Sequence, residues 1–255
     1  MRIPGVRGTM EHMSTPHLPG SGRPVALVTG ASRGIGLAVA EDLGRDHHVI
    51  CGATTEAAAS AVADRLPSAS TFVCDLTDDA AVGAAVADLR DSGLTRLDVL
   101  VNNAGMSDKA PVAEATKEQW RRIFEVNVFA VADLTRLLLP MLREARGTVV
   151  MVNSGSGYRS TPGQALYSGT KFALRAMTDA LREEERGVVR VSSVHPGKTD
   201  TDMQREIQAD RGNGPDTYDA GVYVRPESIA AAVRLAVDCT DEAIVEEISV
   251  RPVVL

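Results

Sequence analysis

The chain has 255 residues, a net charge of −7 and 44% hydrophobic residues, a balance typical of a globular protein with one sizeable core. The acidic charge and the lack of a Lys/Arg cluster argue against a nucleic-acid surface, and no apolar run approaches the roughly 18–20 residues that span a bilayer. The three cysteines, Cys51, Cys74 and Cys239, have neither C-x-x-C spacing nor histidines at ligand spacing. This composition predicts a cytoplasmic protein without a metal site.

Residues 1–23 differ in composition from the rest of the chain. They contain Pro, Gly, Ser, Thr and His without hydrophobic periodicity, and they lack the roughly 7–15-residue apolar segment of a secretory signal. We therefore expect a disordered N-terminal extension with no part in catalysis. The folded domain is predicted to cover residues 24–255.

From Pro24 onward, apolar runs alternate with helical patterns, which predicts an α/β fold with helices on both faces of a parallel sheet. The apolar runs are mostly unbroken, as expected for strands buried on both faces. Strands are predicted at residues 25–29, 48–53, 70–74, 97–102, 147–153, 188–195 and 244–250. Helices are predicted near residues 34–45, 55–66, 78–92, 116–144, 164–186 and 226–238. Segment 202–224, rich in Gly, Pro and charges, is predicted to be a mobile loop over the substrate.

A glycine-rich turn comes after the first predicted strand. Residues 29–36 read T-G-A-S-R-G-I-G and lead into the first predicted helix. A helix N-terminus behind such a turn favours an anion, and the glycines let the backbone approach a pyrophosphate closely. The spacing differs from the G-x-G-x-x-G dinucleotide fingerprint, so the turn alone is weak evidence of a nucleotide site. The candidate phosphate-site residues are Gly30, Ser32, Arg33, Gly34, Ile35 and Gly36.

A second pattern joins Ser154 to Tyr167 and Lys171. Residues four apart on a helix share one face, so Lys171 is expected beside Tyr167. A nearby ammonium favours the phenolate and would lower the pKa of tyrosine from about 10 toward neutral pH, where proton transfer is efficient. Ser154 would then hold the substrate oxygen. For Y-x-x-x-K alone, the alternative is a surface tyrosine and lysine on an ordinary helix.

In chain order these motifs resemble the short-chain dehydrogenase/reductase family. After the turn come Asp75, N-N-A-G at residues 102–105, Asn127, Ser154 thirteen positions before Tyr167, Lys171, Pro196-Gly197 and Thr201. The resemblance covers roughly residues 24–252. It implies a Rossmann fold with strand order 3-2-1-4-5-6-7 and an NAD(P)-dependent oxidoreductase acting on a small molecule. Because ligands bind beyond the carboxyl ends of the strands in such sheets, the motifs should collect at one edge.

The resemblance implies a role for each of four catalytic residues. Ser154 would polarise the substrate oxygen, and Tyr167 would be the acid in reduction and the base in oxidation. Lys171 would lower the pKa of Tyr167 and bind the nicotinamide ribose. Asn127 would hold a water that links Lys171 to solvent, the alternative being a helix-interior asparagine that bonds its own backbone.

The resemblance also implies the remaining cofactor contacts. Asp75 and Leu76 would contact the adenine, and the loop at Asn103, Ala104 and Gly105 would contact the adenosine ribose. The nicotinamide end would be faced by Pro196, Gly197, Thr199 and Thr201. Asp98, just before the fourth strand, is expected to be structural.

The end of the second strand bears on which cofactor is bound. NAD-specific folds place an acid there to accept from the ribose 2′-hydroxyl, whereas this chain has no acid before Glu56. Arg33 is expected to pair with a 2′-phosphate, and Thr54 to donate a hydrogen bond to it. NADP(H) is therefore favoured, with NAD(H) possible.

The resemblance points to a carbonyl reductase or alcohol dehydrogenase, and the alternatives are a 3-oxoacyl-carrier-protein reductase or a non-catalytic NADP-binding sensor. The carrier-protein alternative is weakened because the V-D-G-G of many relatives is missing at the last strand and no basic cluster is visible. An epimerase or dehydratase would need a larger C-terminal region. Tyr158 is expected to line the substrate pocket, or to cap its loop.

Two helices bear on assembly. The long helix pattern 116–146 carries more apolar side chains than one sheet face needs, which indicates burial on two sides. In the family it resembles, this helix and the Tyr167 helix form a four-helix interface. We therefore expect a homodimer or, more in keeping with the family, a homotetramer.

Overall fold

The computed structural model describes residues 22–209 and 217–253. The predicted extension lies outside this part, except for its last two residues, as do residues 210–216 of the predicted substrate loop. The strands form one parallel sheet in the order β3-β2-β1-β4-β5-β6-β7, which confirms the predicted order and fold class. The strands are β1 Val25–Val28, β2 His48–Ala53, β3 Ala69–Val73, β4 Val99–Asn102, β5 Thr148–Val152, β6 Arg190–Pro196 and β7 Glu247–Val250.

The helices cover both faces of this sheet. They are α1 Gly34–Leu43, α2 Glu56–Ala63, α3 Asp79–Asp91, α4 Lys117–Phe124, α5 Ala130–Ala145, α6 Ala165–Glu184, α7 Asp202–Ala209 and α8 Pro226–Val237. Several begin at a residue suited to a helix start. Asp78 accepts from the N–H groups of the first turn of α3, Thr116 forms a capping box with Gln119, and Pro226 opens α8.

Alternation along the strands explains their unbroken apolar sequence. In β1, Ala26 and Val28 face one core with α1, α2 and α8, whereas Leu27 faces a second core with α3, α5 and α6. Successive side chains of a strand point to opposite faces, so a strand covered on both faces must be apolar throughout. The sheet is thereby fixed between two helical layers, and its carboxyl edge is left to the loops.

Three predicted elements differ from the structure. The last strand begins at Glu247 rather than at residue 244, because pairing with β6 starts at Ser193. Segment 202–224 was expected to be a loop, but it contains α7, where Met203 and Ile207 stand four apart on one face, and a short 3-10 turn at Ala220–Val222. The predicted helix 116–144 is two helices joined by a π turn at Glu125–Phe129.

Candidate active site

The glycine turn has the geometry of an anion cradle. Gly30 and Gly34 have φ angles of 62° and 55°, in the left-handed region that favours glycine. A Cβ on Gly36 would lie 2.1 Å from the carbonyl oxygen of Gly30, so no side chain fits there. The N-cap residue of α1 is Arg33, whose side chain makes no capping bond. The N–H groups of the first turn of α1 are therefore not used by a side-chain cap, as an anion site requires.

The N-N-A-G loop holds the glycine turn in place. The hydroxyl of Thr29 accepts from the N–H groups of Asn103 (2.9 Å) and Ala104 (3.0 Å). The side-chain amide of Asn103 donates to the carbonyl oxygens of Thr29 (2.9 Å) and Gly30 (3.2 Å). The Asn103 side chain is thus committed to shaping the turn, so any contact with a ribose would fall to the backbone of residues 103–105.

The adenosine end lies where β2 meets the glycine turn. The N–H of Ala31 donates to the carbonyl oxygen of Gly52 at 2.9 Å, which brings the end of β2 beside the turn. Thr54 and Arg33 are both exposed, Arg33 with 68% of its side chain accessible and 3.7 Å from Asp202. Asp75 accepts from the N–H (2.9 Å) and hydroxyl (2.8 Å) of Thr77, and these bonds hold the pKa of Asp75 below its usual value.

At the opposite end, the loop after β6 packs against the glycine turn. A Cβ on Gly34 would meet the Thr201 methyl group at 3.2 Å. The hydroxyl of Thr201 accepts from the N–H of Gln204 at 3.2 Å, at the start of α7. Thr199 is buried and donates to the carbonyl oxygen of Gly197 at 3.1 Å. The residues predicted to face the nicotinamide therefore lie against those predicted to hold the phosphates.

Ser154, Tyr167 and Lys171 come together as the sequence predicts. Ser154 lies just after β5, and its hydroxyl accepts from the N–H of Ser156 at 3.1 Å. On α6, the Lys171 ammonium lies 5.7 Å from the centroid of the Tyr167 ring and donates to the carbonyl oxygen of Val152 at 3.0 Å. A hydroxyl, a phenol and an ammonium are thus gathered at the carboxyl end of β5.

The pKa of Tyr167 differs from the one that the sequence predicts. Burial raises the pKa of Tyr167, and hydrogen bonding by Ser154 opposes that rise. The sequence predicted a lowered pKa because of Lys171, but burial outweighs the other influences on the phenol. Burial also lowers the pKa of Lys171 to about 8, since an ammonium loses its hydration there. Lys171 is thus buried, whereas Ser154 and Tyr167 are half-buried.

Asn127 lies in the π turn and ties three segments together. Its Oδ1 accepts from the N–H of Met106 at 2.9 Å, and its Nδ2 donates to the carbonyl oxygen of Met106 (2.9 Å) and to the hydroxyl of Thr170 (3.1 Å). The alternative of an asparagine bonded to its own backbone is therefore wrong. π turns often occur at functional positions, and this one places the amide between the N-N-A-G loop and α6.

A cavity of about 120 Å³ lies between the segment after N-N-A-G and α7. It is lined by Ser107, Asp108, Lys109, Met203, Glu206 and Ile207. Sequence reasoning missed Ser107, Asp108 and Lys109, whose available signal was their position directly after the N-N-A-G loop, whereas Met203, Glu206 and Ile207 lie in the segment predicted to cover the substrate. Tyr158 does not line this cavity, and its hydroxyl contacts Glu247 and His195.

Other sequence expectations concern charge, metals and membranes. Asp98 is structural, as expected, since it accepts from the N–H of Val25 at 2.8 Å and pairs with Arg96. Within residues 22–209 and 217–253, no group of three or more His, Cys, Asp or Glu side chains could hold a metal ion. In the same residues, no helix is both long and apolar enough to cross a membrane.

The fold and the site define a dinucleotide-binding oxidoreductase of the Rossmann type. The family model for short chain dehydrogenases matches residues 24–212, and the chain belongs to this family. An uncharacterized oxidoreductase of Schizosaccharomyces pombe is 34% identical over 82% of this chain and 88% of its own length. The 3-oxoacyl-[acyl-carrier-protein] reductase of Escherichia coli (strain K12) is 34% identical over 74% of this chain and 79% of its own length.

Solved structures of similar proteins support the same fold and family. An alcohol dehydrogenase of the archaeon Thermococcus sibiricus, complexed with 5-hydroxy-NADP, has a TM-score of 0.80 at 28% identity and covers 90% of this chain and 97% of its own. A serine dehydrogenase complexed with NADP+ has a TM-score of 0.82 at 26% identity, with coverage of 90% and 95%. These neighbours support a nicotinamide dinucleotide as the cofactor of this chain, and the glycine cradle with its uncapped helix start fits such a group.

Proposed function

We propose that this protein is an NADP(H)-dependent oxidoreductase that reduces a ketone or aldehyde to an alcohol, or catalyses the reverse reaction. The observation that carries the proposal is the gathering of Ser154, Tyr167 and Lys171 at the carboxyl end of β5. A structural role for these groups does not account for a lysine buried at a cost in hydration.

The reaction follows from these side chains. A bound nicotinamide supplies or removes the hydride. In reduction, Ser154 donates a hydrogen bond to the substrate carbonyl oxygen, which makes the carbon more electrophilic. As hydride adds to that carbon, Tyr167 gives its hydroxyl proton to the oxygen and becomes a phenolate. In oxidation, the same phenolate removes the alcohol proton.

Lys171 lowers the free energy needed to ionise the Tyr167 hydroxyl. Because burial raises the pKa of Tyr167, a neighbouring positive charge is needed to offset the cost of ionising it. The Lys171 ammonium, 5.7 Å from the ring centroid, is placed to do so, and we expect it also to bind the nicotinamide ribose. The proposed water at Asn127 would return protons to Lys171. Because the Asn127 amide is occupied by Met106 and Thr170, we assign that water to the backbone of the π turn.

The preference for NADP(H) rests on charge. Arg33 is exposed at the start of α1, Thr54 is exposed at the end of β2, and no acid lies between residues 49 and 55. A guanidinium forms strong charge-assisted bonds with a phosphate. Solved relatives that bind NADP support the assignment.

The cavity favours a small ketone or aldehyde over a thioester delivered by an acidic carrier protein. Its lining carries two carboxylates, Asp108 and Glu206, and one ammonium, Lys109. Asp108 is paired with Arg122 at 2.9 Å, so the opening presents no excess of positive charge to attract an acidic carrier. The likeness to the Escherichia coli carrier-protein reductase keeps that activity as the second candidate. The presence of all four catalytic residues argues against a non-catalytic sensor.

We also propose that the protein is cytoplasmic and forms a homotetramer or homodimer. The free cysteines Cys51 and Cys74 are buried, which raises their thiol pKa values to about 12 and 11 and leaves them unreactive. Eight apolar side chains indicated that the long helix is buried on two sides, namely Ile123, Phe124, Val128, Val131, Leu134, Leu137, Leu138 and Met141. They support assembly less than expected, because five of them lie in the core of the same chain. Those five are Ile123, Val131, Leu134, Leu138 and Met141. The support comes instead from Phe129 and Phe172, which are 55% and 45% exposed on the pairing helices.

A substrate screen tests the activity. NADPH consumption is followed with ketones, aldehydes, quinones, β-keto thioesters of a small thiol and the same thioesters on a carrier protein, with Tyr167→Phe as the inactive control. Turnover of free ketones or aldehydes that Tyr167→Phe abolishes supports the proposal. Turnover of carrier-bound thioesters alone would establish the second candidate, and NADPH binding without any turnover would favour the sensor.

A further inference from the structure

A polar cluster lies behind the Ser154 turn, outside the residues assigned to the reaction. The hydroxyl of Tyr158 is 2.6 Å from Oε2 of Glu247 and 3.1 Å from Nε2 of His195. His195 is buried on β6, and its Nδ1 is 3.2 Å from the carbonyl oxygen of Ser154. Contacts therefore run without a break from Glu247 at the start of β7 to the backbone of Ser154.

The contacts among Ser154, His195, Tyr158 and Glu247 require protons at particular atoms. A carbonyl oxygen only accepts, so the Ser154 contact needs a proton on Nδ1 of His195. If His195 is neutral, its Nε2 must then accept from the Tyr158 hydroxyl. The Tyr158 hydroxyl instead donates to Oε2 of Glu247 at 2.6 Å, so a neutral His195 can satisfy only one of its two contacts. All three contacts are satisfied together only when His195 carries a proton on both ring nitrogens, one proton beyond neutral imidazole.

Loss of that proton would break the weakest contact. A phenol bonded to a carboxylate is charge-assisted and short, so Tyr158 keeps its bond to Glu247. In the tautomer that keeps the contact with Tyr158, Nε2 of His195 donates to the Tyr158 oxygen, and Nδ1 turns a lone pair toward the Ser154 carbonyl. The imidazole tautomer thus decides whether Ser154 is held from this side.

Charged groups of α6 also face the cluster. The Arg175 guanidinium lies 4.3 Å from the Tyr158 ring centroid and 3.9 Å from Oε1 of Glu247, and Lys171 and Asp179 act from the same helix. Burial raises the pKa of Tyr158 to about 12, so its proton stays in place. Burial lowers the pKa of His195, while the Ser154 carbonyl and Glu247 favour its protonated form.

The Ser154 carbonyl oxygen has hydrogen-bond partners in its own turn and on β6. It accepts from the N–H of Gly157 at 3.0 Å, in a 3-10 turn whose bonds have poor geometry. His195 supplies the second bond to this oxygen.

We infer that His195 is a positioning residue for Ser154, and that the protons on its two ring nitrogens, which face Ser154 and the Tyr158–Glu247 pair, decide whether it holds the Ser154 turn. This inference rests on the proposed role of Ser154 in binding the substrate oxygen. It implies an ionisation in the pH profile that belongs to neither Tyr167 nor Lys171. Carbonyl reduction should fall as pH rises through that ionisation, since the Ser154 contact is then lost.

Matched amide variants test the inference. The amide nitrogen of His195→Asn falls near Nδ1 and can donate to Ser154, whereas that of His195→Gln falls near Nε2 and cannot. Glu247→Gln mimics the protonated carboxyl group at every pH. The measurements are kcat and KM for carbonyl reduction over roughly pH 5.5 to 9.5 at saturating NADPH, the range in which imidazole and its neighbours titrate, and imidazole ¹⁵N NMR of the cofactor-free protein, assigned with His195→Asn.

We expect His195→Gln to lower kcat by about 5- to 20-fold with the KM for NADPH unchanged, and His195→Asn to retain at least about a third of kcat. Glu247→Gln should remove the extra ionisation and keep reduction active to higher pH. NMR of the wild type should show Nδ1 protonated at low pH and a change to the Nε2–H tautomer as pH rises, a change absent in Glu247→Gln.

Two results would overturn the inference. One is an Nε2–H tautomer of His195 at all pH values, and the other is a pH profile of Glu247→Gln identical to wild type. The NMR readout does not need activity, so it decides the His195 contact even if a variant folds poorly. Full activity of Ser154→Ala would instead disprove the role proposed for Ser154, and the positioning role of His195 with it.

Discussion

The side chain of Asn127 holds the backbone of Met106 at both of its polar atoms, accepting from the N–H and donating to the carbonyl oxygen, each at 2.9 Å. These two hydrogen bonds resemble the ones that join neighbouring strands, but here they join a helical turn to a loop. It is possible because the π turn at Glu125–Phe129 turns the amide toward the segment just after N-N-A-G. The remaining Nδ2 proton reaches Thr170 on α6, so one amide fixes the segment after N-N-A-G relative to the helix that carries Tyr167 and Lys171.

Replacing Asn127 with Asp keeps the shape and removes both donors. The carboxylate would face two oxygen acceptors, the Met106 carbonyl and the Thr170 hydroxyl, in a buried site. We expect the free energy of unfolding to fall by about 2–4 kcal/mol and kcat to fall with it. Chemical unfolding of Asn127→Asp beside Thr170→Val, which loses one of these bonds, measures the difference. Equal stability of Asn127→Asp and wild type would contradict the role assigned to this amide.

The acid/base role of Tyr167 predicts a specific kinetic change. Tyr167→Phe preserves the ring and removes the transferable proton, so kcat should fall by roughly 10²–10⁴-fold while NADPH affinity changes little. Steady-state kinetics and fluorescence titration of NADPH measure the two effects, and Tyr223→Phe serves as a control hydroxyl deletion. If Tyr167→Phe keeps more than about a tenth of wild-type kcat, the assignment is wrong.

We expect Arg33 to bind the 2′-phosphate of NADPH. Arg33→Ala is expected to weaken NADPH binding by about 1.5–3 kcal/mol, the range of charge-assisted hydrogen bonds, and to leave NADH almost unaffected. Thr54→Asp should shift selectivity toward NADH by repelling the phosphate. Arg45→Ala, another exposed arginine, is the control for net charge. An equal loss of affinity for both cofactors would show that Arg33 supports the turn instead.

Buried Lys171 should reduce stability in a pH-dependent way. Its pKa is lowered from 10.5 to about 8, so keeping it charged below pH 8 weakens the folded state by up to about 3 kcal/mol. This cost disappears as pH rises from 8 toward 10.5, where the unfolded chain binds the proton and the folded protein does not. Cofactor-free Lys171→Met should therefore be more stable than wild type at about pH 7 and lose that advantage by about pH 10. Chemical unfolding at both pH values checks this, and a pH-independent gap would refute it.

Assembly can be tested at the exposed phenylalanines. The chain mass is 27.0 kDa, so light scattering at micromolar concentration should give at least twice that value. Phe129→Glu combined with Phe172→Glu should shift the protein toward monomer, because a charge cannot be buried unpaired in an apolar interface. Val112→Glu, at a valine that is 71% exposed, is the control. A fully active wild-type species with the 27.0 kDa mass of one chain would rule out the proposed interface.

The sequence by itself determined the strands of the sheet and the grouping of Tyr167 with Lys171, whereas the strand order followed from the family resemblance. Unbroken apolar runs identify strands covered on both faces, and the spacing of Tyr167 and Lys171 on one helix places them together whatever the neighbouring segments do. Their meeting with Ser154 and the glycine turn results from the common carboxyl edge of parallel strands. These features depend on local periodicity and on the handedness of parallel connections, and both can be inferred from residues close together in the sequence.

Only the tertiary structure decided where the remaining side chains find partners. Tyr158 bonds to His195 and Glu247, which are 37 and 89 positions away, and Asn127 bonds to Met106 through a π turn that no local pattern marks. The raised pKa of Tyr167 likewise comes from burial by distant segments rather than from its neighbour four residues on. Hydrogen bonding and desolvation depend on which groups pack together in space, and sequence spacing does not specify that packing.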